Sequence, residues 1–466
     1  MDFQTIQKTR IRLLNDAATV KGKYVLYWMQ QSQRADYNHA LAYAVQQANR
    51  LKQAVLVAFG LMDDYPEANL RHYTFMLEGL QETQSTLAGR GIKLVVQKGA
   101  PAEVALKIGR DASMIVCDCG YLRHQKAWRD QVARQADRRV VQVESDVIVP
   151  LPVVSNKAEY AARTIRPKIH KHLTDYLTDF KPATVKKPSL NLAIESIDLK
   201  NIDAVLQKMQ LDREVPAVTG IFKGGSSQAR QVFKSFLHRR LARYVENRNQ
   251  PQTDDISHMS PYLHFGQISP LYLALQVQQA DSRLKAAKES FLEELIVRRE
   301  LAMNFVNFTA AYNSYKCLPD WARLTLAEHA KDPRDYVYTR QQLEDAQTHD
   351  AYWNAAMREM KCTGFMHNYM RMYWGKKILE WSKTPEHAFR TALAINNKYF
   401  LDGRDANSYT GVAWVFGVHD RAWFERPIFG KIRYMAASGL ERKCDIKGYV
   451  KKVDELVNQV ETNAGR

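Results

Sequence analysis

The chain has 466 residues, of which 45% are hydrophobic and 10% aromatic. That is enough apolar material for two or three folded units and excludes disorder as the default state. Lysine and arginine number 67 against 50 acidic residues, a formal net charge of +17; a polyanionic partner such as nucleic acid would reward this excess through counterion release, the plainer alternative being general solubility.

The basic, polar N-terminus lacks the apolar stretch of a secretory leader. No apolar run reaches about 18 residues, so no membrane partner is expected. From Lys23 to about Pro150 the chain alternates. KYVLYWM (23–29), AVLVAFG (54–60), IKLVVQ (92–97), SMIVCD (113–118) and VVQVES (140–145) read as buried strands. Helical stretches lie between them near 35–52, 69–89, 101–110 and 123–137. The pattern predicts an α/β fold with a doubly wound parallel sheet, whose ligands sit beyond the carboxyl ends of the strands. Neither a GxGxxG fingerprint nor a phosphate-cradling GxxxxGK[ST] loop is present. The five cysteines (117, 119, 317, 362, 444) fit a reducing compartment rather than a disulfide frame. Cys117 and Cys119 alternate along a predicted strand and face opposite ways, so no metal site is expected.

Residues 151–215 include the proline- and lysine-rich KPATVKKPSLNLA and read as an interdomain connection over the surface. Residues 1–20 read as an N-terminal extension and 21–150 as the α/β domain. From 216 to 466 helical spacing dominates and an all-helical domain is expected.

Four groups in this second half could carry chemistry. SHMSPYLHFGQIS (257–269) places Ser260 as an N-cap with Pro261 in the first turn, a helix start able to take an anion. Asn396–Gly411 is dense in hydrogen-bonding groups. Trp374 and Trp381 are seven residues apart on one helix face, with Trp353 on another helix. Glu293 and Glu294 precede Arg298 and Arg299 at the spacing of intrahelical ion pairs. Each group alone also fits a plainer reading: a well-capped helix, a solvated turn, core packing, a charged helix surface.

Their order is more specific. SPYLHFGQIS, EELIVRRELAMNF, YWNAAMREM, MHNYMRMYWGKKILEW, LDGRDANSYTGVAW and HDRAWFERPIFGKIRYM together resemble the class II cyclobutane pyrimidine dimer photolyases of the photolyase/cryptochrome superfamily. YWMQQSQRADYNHALAYA resembles the start of that family's antenna domain. The resemblance implies FAD in the helical domain, and repair of cyclobutane pyrimidine dimers in UV-damaged DNA by light-driven electron transfer, the dimer being flipped from the duplex.

Carried over by position, the resemblance implies that Tyr244 and Ser257, His258, Met259 and Ser260 hold the FAD phosphates. The family more often has SNLSP where this chain has SHMSP. Arg371, Asn396, Asp402 and Asp405 are implied at the flavin, Asn396 beside its N5. At the lesion the resemblance implies Glu294, Arg248, Asn249, Arg298, Met372 and Trp414; Arg298 is a departure, since some relatives place tryptophan there. Trp423 and Arg433 are implied to fill the gap left by flipped bases. Trp353, Trp374 and Trp381 match a chain that photoreduces oxidised flavin. An antenna chromophore of deazaflavin or folate type is compatible with the N-terminal fold, and nothing in residues 20–150 selects one. A cryptochrome-like photoreceptor is the alternative, with repair of the (6-4) lesion a more distant one. The expected state is a monomer, in the cytoplasm and nucleoid of a prokaryote or the nucleus of a eukaryote.

Overall fold

The computed structural model describes residues 6–181 and 184–464. Six strands form one sheet: β1 (Ile11–Leu13), β2 (Tyr24–Trp28), β3 (Ala54–Leu61), β4 (Lys93–Lys98), β5 (Ala112–Asp118) and β6 (Val140–Val143). The order is β1-β6-β5-β2-β3-β4, all neighbours parallel except β1 against β6. Helices α1 (His39–Arg50), α2 (Leu70–Gly89), α3 (Pro101–Gly109) and α4 (Arg123–Gln135) connect the parallel strands up to β6. Every residue of β2, β3 and β5 is buried. Val25 and Tyr27 pack into one apolar layer and Tyr24, Leu26 and Trp28 into the opposite one. Two covered faces explain the continuous apolar runs of these strands.

β1 precedes the stretch in which the sequence pattern places its first strand. It has three residues and one mixed-polarity edge, so no periodicity marks it. The lysine-rich connection also carries structure. Ser189 and Ile197 donate backbone hydrogen bonds to Gly91 (2.9 Å) and Val96 (2.7 Å), and Leu199 is fully buried. This segment covers the exposed edge at β4, where an open strand would invite pairing with another chain.

From residue 151 onward the regular structure is helical, around two large apolar clusters. Buried charges join this half to the sheet. Arg71 of α2 donates to the carbonyls of Pro216, Met360, Lys361 and Tyr399. Arg34 pairs with Asp146 at 2.7 Å and donates to Gly266 O at 3.0 Å. Glu300, on helix Arg299–Phe308, accepts from Ile148 N at 2.5 Å.

Burial pushes the Glu300 carboxyl up to about 8, with Ile148 N–H and Arg299 opposing and Glu144 adding to the rise. Protonated Glu300 is therefore the form the fold favours. Its stabilising contribution is complete below the ordinary carboxylate range and is lost as pH rises toward about 8. Glu300→Gln keeps the acceptor for Ile148 N–H without an ionisable group. Urea unfolding at a series of pH values is expected to show the variant gaining on the wild type between pH 5 and 8; a constant difference would refute the assignment.

Candidate functional site

One cavity of about 890 Å³ opens in the helical half. That volume suits a cofactor-sized ligand. It brings together sixteen residues singled out from the sequence: Tyr244, Arg248, Asn249, Ser257, His258, Met259, Ser260, Glu294, Arg298, Arg371, Met372, Asn396, Asp402, Asp405, Trp414 and Arg433. Trp374 also lines it, whereas Trp353, Trp381 and Trp423 lie outside.

The buried end is built around Arg371 and Asp402. Two Arg371 nitrogens sit 3.0 Å from the two carboxylate oxygens, a forked ion pair in which Nη2 donates to Oδ2. The guanidinium lies 3.9 Å over the Phe400 ring, and its Nε donates to Met366 O. Asp402 Oδ1 takes no well-directed hydrogen bond from the fork and is free to accept one from a ligand. Asn396 is buried, its Nδ2 donating to Asn397 Oδ1 at 2.9 Å and to Ser408 Oγ. Asp405 faces His264 Nδ1 at 3.9 Å; burial alone would raise its carboxyl, but the imidazole and Arg299 hold it down at about 2.

The segment 257–260 differs from its sequence reading in one respect. Ser260 is the first helical residue of Ser260–His264, and Met259 occupies the cap position without a side-chain hydrogen bond. The backbone turns at His258, whose φ of 54° lies in the left-handed region. Asparagine adopts that conformation most readily among non-glycine residues, with histidine also enriched there. Histidine is therefore compatible with this turn, as the asparagine of the SNLSP pattern would be. His258 Nε2 is further tied to Asp254 Oδ1 at 2.6 Å.

His367, within the motif MHNYMRMYWGKKILEW, also lines the cavity, although the motif alone gives it no role. It caps helix Asn368–Trp381, its Nδ1 accepting from Tyr369 N at 3.2 Å. Burial lowers its pKa to about 3, so the ring is neutral at physiological pH. With Nδ1 accepting, the proton resides on Nε2, which has no partner and is buried in the cavity wall. Trp374 Nε1 is likewise buried and unpartnered. These two donors and the Asp402 acceptor suit a large ligand with its own donors and acceptors, as a flavin dinucleotide is.

The outer end is more open. Glu294 lies in a π-helical turn, Glu293–Arg298, between two α-helices. The sequence pattern suggested that both glutamates pair along their helix. Only Glu293 does so, at 3.3 Å from Arg298, and it also binds Arg166 at 2.7 Å. The π turn sends Glu294 across the cavity to Arg248 Nη2, 2.6 Å away, while Arg248 Nη1 donates to Ser290 Oγ. The Arg298 guanidinium lies over the Trp414 ring, 5.5 Å from its centre.

Trp353, Trp374 and Trp381 are all buried. Trp353 Nε1 donates to Trp374 O at 3.0 Å, and the Trp353 and Trp381 rings are 5.7 Å apart. Beyond Trp381 lie Tyr338 and His349, at 5.4 and 5.2 Å, with Tyr336 exposed next to them. The aromatic series therefore runs from the cavity wall at Trp374 to the surface.

A second, smaller cavity of about 90 Å³ lies beyond the carboxyl ends of β2 and β3, where ligands of such sheets bind. Tyr65, Trp128, His72 and Arg404 line it, and Asp405 borders both cavities.

The fold, an α/β sheet joined to a helical half, is shared with solved photolyase and cryptochrome structures. Residues 25–188 match the family model described as DNA photolyase. The deoxyribodipyrimidine photo-lyase of Methanothermobacter thermautotrophicus is 49% identical over 97% of this chain and 100% of its own length. That of Potorous tridactylus is 39% identical over 96% and 84%. A class III photolyase from Agrobacterium tumefaciens has the same fold, with a TM-score of 0.73 at 18% identity over 94% of this chain and 88% of its own. The chain belongs to the DNA photolyase family.

The left-handed turn at position 258 has a measurable consequence. His258→Asn is expected to leave stability and flavin content unchanged. His258→Val, β-branched at positive φ, is expected to lose about 1–3 kcal/mol in urea unfolding and to copurify with less flavin.

Proposed function

We propose that the chain is a class II deoxyribodipyrimidine photo-lyase, which uses blue light and FAD to split cyclobutane pyrimidine dimers in UV-damaged DNA. The observation carrying this reading is that one continuous cavity joins a buried end built on Arg371–Asp402 to an outer end built on Glu294, Arg298 and Trp414. A cofactor and an extruded lesion would meet there.

The chemistry supplied by bound, reduced FAD is one electron, donated on blue-light excitation and recovered once the cyclobutane ring has opened. Arg371 holds a fixed cation at the flavin end and favours the anionic reduced form. Asp402 and the His367 Nε2–H orient the flavin by accepting and donating hydrogen bonds. Asn396 would help hold the flavin with an amide that commits no charge. Tyr244 and the Ser257–Ser260 segment face the phosphates. At the lesion, Glu294 leaves or shares its bond with Arg248 and its carboxylate accepts from a pyrimidine N3–H, while Arg248 donates to a pyrimidine carbonyl. Asn249 adds a polar contact, and Met372 and Trp414 supply apolar walls. Arg298 backs Trp414 with a cation where some relatives have a second aromatic ring. Trp381, Trp353 and Trp374 carry electrons inward from the surface.

The smaller cavity borders the antenna position implied for residues 21–150. A chromophore of deazaflavin or folate type would enter it by moving side chains such as Tyr65 and Trp128. The connection at 151–215 and the FAD-binding domain at 216–466 complete the proposed division. The protein acts as a monomer, in the cytoplasm and nucleoid of a prokaryote or the nucleus of a eukaryote. No helix among the described residues is long and apolar enough to cross a membrane.

The purified protein is expected to absorb as a flavoprotein and, with fully reduced flavin, to restore dimer-containing oligonucleotides under blue light; no repair under those conditions would overturn the reading. Glu294→Gln is expected to lower repair by up to about 100-fold at unchanged flavin content. Trp381→Phe separates the two photochemical roles. It is expected to suppress photoreduction of oxidised flavin, read by absorbance, while repair with chemically reduced flavin stays at the wild-type level.

A further inference from the structure

Asn396 and Asn397 are neighbours near the end of the helix Pro385–Tyr399, and both are buried. Asn396 lines the main cavity, whereas Asn397 is turned to the α/β half. Two groups of fixed chemical sense hold Asn397. Its Nδ2 donates to Glu67 Oε2 at 2.6 Å, and its Oδ1 accepts from Arg404 N–H at 3.1 Å. An ionised carboxylate only accepts and a backbone N–H only donates, so one orientation of the amide satisfies both. Asn397 Oδ1 also accepts from Asn396 Nδ2 at 2.9 Å, and Ser408 Oγ accepts the second hydrogen of that nitrogen. Both donors of Asn396 are therefore used within the protein. Its Oδ1 accepts no hydrogen bond from the described residues and is the atom left for a ligand in the cavity.

Glu67 comes from the loop between β3 and α2, 330 positions before Asn397. Its backbone φ of 58° lies in the left-handed region, which residues other than glycine seldom enter. The loop meets the same helix end a second time, where Asn69 Nδ2 donates to Lys398 O at 2.7 Å. Glu67 itself is exposed, yet its carboxylate is directed inward onto a fully buried amide. None of the sequence motifs includes it.

We propose that Glu67 is a positioning residue of the flavin site: through Asn397 it fixes the Asn396 amide with its oxygen toward the cofactor, and so biases bound flavin toward its reduced form. This inference rests on the flavin reading above, with Asn396 at the N5 side of the ring. Reduced flavin carries a hydrogen on N5 that an oxygen can accept. Oxidised flavin has a bare lone pair there, which an amide N–H would satisfy and an amide oxygen repels. A hydrogen bond made by one redox form alone displaces the equilibrium between the two forms by its net worth. Were the Asn397 amide released, Asn396 could turn its nitrogen to the ring and the preference would fade. A carboxylate of the α/β half thus sets the sense of an amide in the helical half without touching the cofactor.

The test equilibrates FAD-loaded wild type, Glu67→Ala and Glu67→Gln with a redox dye, in the dark and without DNA. The flavin takes two electrons from the dye and a proton from water at N5, and absorbance gives the ratio of reduced to oxidised flavin. Glu67→Ala is expected to lower that ratio about 2- to 10-fold at one dye potential, the net worth of one hydrogen bond. Glu67→Gln keeps an acceptor oxygen without the charge and is expected to match wild type. In an Asn396→Ala background, Glu67→Ala is expected to have no further effect. An unchanged ratio in Glu67→Ala, equal losses in the alanine and glutamine variants, or a full Glu67→Ala effect without Asn396 would each overturn the proposal. The alanine and glutamine comparison decides the matter even where Asn396→Ala fails to hold FAD. Bound FAD without dimer repair would overturn the repair reading and leave the role of Glu67 to the dye ratio; a chain that takes up no FAD would overturn both.

Discussion

A guanidinium and a carboxylate locked together beside an aromatic ring fix the geometry of the main cavity. Arg371 comes from the helix Asn368–Trp381 and Asp402 from the turn after Pro385–Tyr399, so their fork joins two walls. A lone buried charge at either position would be costly, and the pair resolves this only if both backbones hold their places. Other features hang from these two walls. The same helix carries Trp374 and Met372 and is capped by His367; the same turn continues into Arg404 and Asp405, which border the second cavity. Both ends of the cavity and the aromatic series that starts at Trp374 therefore draw on these two short pieces of chain.

Buried charge plays a related part between the two halves. Arg71 satisfies carbonyls from three separate stretches of chain. Carbonyls at helix ends are left without intrahelical partners, and a guanidinium with five donors is suited to gathering them. The interface thereby acquires a fixed geometry that apolar packing alone would specify less sharply.

Much of this was legible in the sequence for identifiable reasons. The parallel strands announced themselves because both faces are covered, which enforces unbroken apolar runs in 54–60 and 114–117. The cavity residues were found through motif order, since single spacings could not separate a site from a capped helix or a core. What escaped depends on contacts distant along the chain. β1 has only three residues on an edge. Glu294 meets Arg248, 46 positions away, and a glutamate–arginine spacing of four or five reads the same in an α- or a π-turn. His367 matters through its tautomer, which its own cap determines.

The π turn at Glu293–Arg298 bears on how this chain can vary. Such a turn accommodates one residue beyond the α-helical complement. Deleting a single residue there would relax the segment into a regular helix and rotate everything on one side of it by about 100° about the axis. Glu294 would swing off the cavity, or Glu300 would lose Ile148, and no point substitution nearby could return both. The segment is thus locked in length more firmly than in composition: side chains such as Arg298 can be exchanged on a frame whose residue count has to stay fixed.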